Sequence, residues 1–222
     1  MGNGKVNALP HILTPFYAAW SGWTMLILLL SAVLAEMWQP GVISQAALSL
    51  VAQSDRTYKA APTNLLGQIM ISIFRIGTIG MALCLCLYEQ GNMHLTSYLA
   101  ICGVVLAVLL VKMLCNAWID FTFMLSRRFD SAYEHFGNIV TLATLVLYPA
   151  LLVVRVIGSV EIGRWVILII AALFILVWLY RSARMCISSI PSVLYLVLYV
   201  LTMDCLPIAI MVYLSSQTLL YI

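Results

Sequence analysis

The sequence predicts an all-α integral membrane protein, a six-transmembrane-helix bundle with a short interfacial amphipathic helix. Three observations carry that prediction. Hydrophobic residues fill 64% of the 222 positions and charged residues 9%, against roughly 45–50% and about 25% in a soluble domain. Eleven basic and eight acidic side chains cannot clothe a soluble fold of this size, whereas lipid requires no such coat. The apolar residues fall in long runs without period-two alternation, which indicates helices and gives no support to a lipid-facing barrel.

A run of roughly 20 apolar residues crosses about 30 Å of hydrocarbon. The first such run, 16–35, follows a single lysine, Lys5, and exceeds the roughly 7–15 residues of a signal-peptide core, so it is read as a retained span. From Pro40 to Pro62, Val42, Ile43, Ala46 and Leu50 recur at helical spacing with Gln45 and Ser49 opposite. That pattern suits a short helix lying on the membrane without crossing it. Spans 66–87, 95–117, 137–154, 165–180 and 190–214 follow, and the chain, 1–222, reads as one polytopic membrane domain. Trp20, Trp23, Trp38, Trp118, Trp165, Trp178 and Tyr180 fall near span ends, where amphipathic rings prefer to sit.

Basic residues in the connections set the orientation. With the N-terminus outside, the inner connections hold Arg56, Lys59, Lys112, Arg127, Arg128, Arg181 and Arg184, and the outer side holds Lys5, Arg155 and Arg164. Both termini are therefore expected outside, in the periplasm. Lys112 and Glu36, near the inner ends of their spans, are read as snorkelling anchors. Arg155 and Arg164 bracket an outer turn, with Glu161 available as a partner.

Two charges lie deep in apolar runs: Arg75 in the second and Asp204 in the last. Each alone costs roughly 2.5–3.5 kcal/mol at mid-membrane on insertion scales, and pairing across a helix interface removes most of that. Gln68, Ser72 and Arg75 form one polar stripe expected to face the bundle interior, and Gly77 and Gly80 would admit a neighbouring helix closely. Pro207 cannot donate to the carbonyl of Met203, so a bend is expected beside the Asp204 carboxylate. Asp204, Arg75, Pro207, Ser72 and Gln68 are thus the intramembrane polar site. It serves either as a packing device or as a proton or ion relay.

Chemistry at the inner surface is confined to Arg127, Arg128, Asp130, Glu134 and His135. Asp130 and Glu134 stand four apart like half of a carboxylate metal site, but a solvated, arginine-paired turn accounts for them more simply. His11, His94 and His135 are too scattered for a metal cluster. The six cysteines sit almost entirely in apolar runs and are read as packing residues. No G-x-S-x-G, glycine-rich phosphate loop or H-E-x-x-H occurs, so no catalytic residue, metal or cofactor is expected. The small scattered charge of +3 gives no footprint for nucleic acid.

Four segments carry a family resemblance: "VKMLCNAW" (111–118), "FDSAYEHFGNIVTLATLVLYPALLV" (129–153), "VWLYRSARM" (177–185) and "SVLYLVLYVLTMDCLPIAIMVYL" (192–214). Together they resemble the domain-of-unknown-function 4271 family of Bacteroidota inner-membrane proteins. The places that family's pattern marks are filled here by Lys112, Phe136 with Gly137, Tyr148 with Pro149, Arg181 with Arg184, and Tyr199, Asp204 and Pro207. Asp204 replaces the usual glutamate, and Tyr148 the usual leucine. The resemblance implies an inner-membrane protein of a Gram-negative envelope and supplies no substrate.

The expectation from all this is a non-catalytic inner-membrane protein, a subunit or accessory factor of an envelope complex that transports or inserts proteins. Its expected partners are the lipid bilayer and other membrane or envelope subunits. One rival is a small proton- or ion-coupled secondary transporter using Asp204. Another is a lipid-modifying membrane enzyme with Asp130, Glu134 and His135 at the inner surface.

Overall fold

The structure is a computed structural model, which describes residues 19–51, 64–87, 94–123, 129–157, 160–186 and 206–221. Among them are seven helices: α1 (Ala19–Trp38), α2 (Val42–Val51), α3 (Leu65–Leu87), α4 (Leu95–Phe123), α5 (Phe129–Ile157), α6 (Val160–Cys186) and α7 (Leu206–Tyr221). No strand occurs among the described residues. Five helices, α1 and α3 to α6, contain stretches long and apolar enough to cross a membrane. The sixth expected span, 190–214, lies within the description only from Leu206 onward.

Helix α3 is the centre of the bundle, packing against α1, α4, α5 and α6. Half of its spanning window is buried, against 11% for α6. Apolar burial alone cannot explain this, because lipid tails solvate leucine as well as a neighbouring helix does. Small residues decide it. A Cβ on Gly77 would overlap the Leu28 side chain of α1, and one on Gly80 would fall 2.6 Å from Cys102 Sγ of α4. A Cβ on Gly67 would lie 2.8 Å from Gln39 Cβ. Gly67 facing Gln39 and Gly77 facing Leu28 make α1 and α3 antiparallel. Around this axis Ile71, Phe74, Met81, Ile101, Val105 and Leu151 are almost wholly buried. The expected close approach at Gly77 and Gly80 is observed.

At one end of the bundle α1 turns through Pro40 and Gly41 into α2. Gly41 has φ of 92°, a left-handed conformation that costs glycine nothing. Glu36 then caps α2: its carboxylate accepts from Gly41 N at 2.7 Å and Ile43 N at 3.2 Å. Glu36 therefore does more than anchor the end of α1 to headgroups. Ten residues rise only about 15 Å, so α2 cannot cross. It docks on α5, with Ala46 fully buried. Asn64 closes the same corner, accepting from Leu66 N at 3.3 Å and donating to Trp38 O at 3.2 Å.

At the opposite end Trp20 of α1 meets Tyr98 of α4, ring centroids 5.7 Å apart. There Arg164, near the start of α6, donates from Nε to Leu85 O at 3.2 Å. A cation on a terminal carbonyl of α3 satisfies an orphan acceptor and suits the helix dipole.

Candidate functional site between α3 and α5

Four residues of α5, Gly137, Thr141, Thr144 and Tyr148, recur at steps of four, three and four and so share one face. Thr141, Thr144 and Tyr148 are buried. Each hydroxyl is occupied. Thr141 donates to Gly137 O at 2.7 Å, and Thr144 lies 2.8 Å from Thr141 O and 3.0 Å from Val140 O. Tyr148 reaches across to α1 and donates to Met25 O at 2.9 Å, while its ring packs 5.7 Å from that of Phe74 on α3. One residue later, Pro149 lies inside α5. It removes one helical donor, and threonine back-bonding bends helices in the same region.

Arg75 of α3 faces this seam. A Cβ on Gly137 would lie 3.9 Å from Arg75 Nη1, and the Arg75 Nε atom is buried. Helical side chains lean toward their own N-terminus, so the guanidinium is carried from mid-helix toward the end where α5 begins. Gly137 leaves room for it. Thr78, on the same side of α3 one turn on, is fully buried, and among the described residues its Oγ1 has no hydrogen-bond partner. Chemically this is a permanent cation beside hydroxyls turned back on their own helix. It can hold a carboxylate or another anion.

The other predicted site residues divide into three groups. Gln68 is exposed and Ser72 half-buried, with Ser72 donating to Gln68 O at 2.7 Å. The stripe therefore does not face the interior as a whole, and this corrects the expectation. The buried face of α3 runs through Gly67, Ile71, Phe74, Thr78, Met81 and Leu85, one residue aside from Gln68 and Ser72. A serine whose hydroxyl bonds its own backbone needs no polar interior. Asp204, Arg127 and Arg128 lie outside the described residues, whereas Pro207 is the second residue of α7. Asp130, Glu134 and His135 fall in the opening turns of α5, but their side chains lie outside the described ones. Among the described residues no three His, Cys, Asp or Glu side chains gather as metal ligands.

Sequence reasoning missed Thr141 and Thr144, although their spacing from Gly137 and Tyr148 was available in "GNIVTLATLVLY" (137–148). It also missed that Tyr148 ties α5 to α1.

Several long apolar helices packed through glycine contacts and backbone-directed hydroxyls define a multi-pass membrane protein. The chain belongs to the family described as Domain of unknown function (DUF4271), whose profile matches residues 22–214. No curated protein and no solved structure matches it.

Proposed function

We propose that this protein is a non-catalytic, multi-pass subunit or accessory factor of a protein transport or insertion complex in the inner membrane of a Gram-negative, Bacteroidota-type envelope. Both termini face the periplasm, in keeping with the basic residues of the connections. One observation carries the reading: several hydroxyls of the bundle and Arg164 bond helix backbone, as in Tyr148 to Met25 O, Tyr98 to Gly77 O and Arg164 to Leu85 O. Polar groups used this way fix how helices pack. The outer walls of α4 and α6 stay apolar, with 17% and 11% of their spanning windows buried, and so suit contact with lipid or with spans of other subunits. Native electrophoresis of membranes solubilised in mild detergent tests the proposal. A species well above the 24.6 kDa chain in its micelle, containing reproducible envelope partners, is expected. A chain that always migrates alone overturns it.

Arg75 favours a second reading, a proton- or ion-coupled carrier in which Asp204 binds the ion, Arg75 tunes it and Pro207 bends the helix. Its test is flux into proteoliposomes, lost on Asp204→Asn.

A further inference from the structure

We propose that the Arg155 guanidinium, seated across Gly22 where the end of α5 meets the start of α1, binds the phosphate of an anionic phospholipid headgroup. The seat is specific. A Cβ on Gly22 would fall 2.8 Å from Arg155 Nη2 and 3.0 Å from Nη1, so only glycine lets the fork lie flat against α1. Among the described residues its hydrogen-bonding contact is Met25 Sδ at 4.0 Å, and a thioether is a weak acceptor for a group with five donors. Arg164, at the same end, engages a carbonyl of α3, whereas among the described residues no carbonyl contact fixes Arg155.

The position matches the ligand. Arg155 lies in the last turn of α5, level with Trp20 and Trp23 at the start of α1 and Trp165 at the start of α6. Trp23 and Trp165 are 68% and 66% exposed. Exposed tryptophans mark the headgroup boundary on either face of the membrane, and a guanidinium held at that depth lies within reach of lipid phosphates. Arg155 is half-buried, so a lipid can reach it from the bilayer. A planar guanidinium pairs with phosphate through two parallel hydrogen bonds.

The test is native mass spectrometry of the full chain released from nanodiscs of phosphatidylethanolamine containing phosphatidylglycerol. The wild type is expected to retain phosphatidylglycerol over phosphatidylethanolamine. Arg155→Gln should lower that retention about tenfold, the loss expected when a charge-assisted guanidinium–phosphate hydrogen bond is removed. Gly22→Ala keeps the charge but displaces the flexible head of Arg155, and should lower retention as well. Should Arg155→Gln fail to fold, Gly22→Ala decides the matter alone, together with competition on the wild type by inorganic phosphate, which should not displace the lipid. Unchanged retention in a folded variant, equal retention of the two lipids, or displacement by inorganic phosphate overturns the assignment.

Discussion

The Tyr148 hydroxyl donates to the Met25 carbonyl at 2.9 Å, joining α5 to α1 across 123 positions of sequence and beside the α3 axis that both helices pack against. In lipid such a bond stabilises packing by about 0.6 kcal/mol on average and about 1.7 at most. Tyr148→Phe keeps the ring against Phe74 and loses only the bond, so a drop of about that size is expected. Tyr148→Leu also loses the ring pair and should fall by about 0.5–1.5 kcal/mol more. Equilibrium unfolding in detergent micelles measures both, and equal stability of the two variants would refute the ordering.

Glycines on α3 and α4 should respond oppositely to alanine. Gly77→Ala and Gly80→Ala drive a methyl into Leu28 or Cys102 and are expected to cost about 1–3 kcal/mol through overpacking. Gly103→Ala meets nothing within 4 Å and should be neutral or stabilising by up to about 1 kcal/mol, the helix-propensity difference. Thermal unfolding of the three variants side by side checks this contrast.

Glu36 holds the start of α2 through two backbone amides. Glu36→Ala is expected to cost about 1 kcal/mol, as capping losses do, with the effect concentrated in residues 42–51. Hydrogen exchange should show faster amide exchange there and little change in α3. Uniform acceleration across the bundle would contradict a local cap.

Much of this architecture was legible from sequence for simple physical reasons. The apolar runs predict six spans, and five of them stand among the described residues as long apolar helices, because membrane thickness fixes the length of a spanning helix; Gly77 and Gly80 announced a close approach because only small residues allow one. The corner at Glu36 was not legible: its carboxylate reaches amides five and seven residues ahead, an arrangement set by the turn at Gly41. Gln68 and Ser72 were misplaced because polarity does not by itself choose the interior when a hydroxyl can bond its own carbonyl. Tyr148 stood out as a departure from the family pattern, but its partner on α1 could be found only in three dimensions. Asp204, the residue weighted most heavily in the sequence reading, lies outside the described residues, so its distance from Arg75, which sits beside Gly137, cannot be read from the fold.

We propose that the polar seam around Arg75 fixes helix packing for assembly and does not conduct ions. Arg75→Gln, with melting temperature and native complex mass read on one purified sample, tests it most directly. The melting temperature is expected to fall, and the large-mass species to be lost with it. A variant that keeps both, while ion flux carried by the wild type in proteoliposomes disappears, would contradict it.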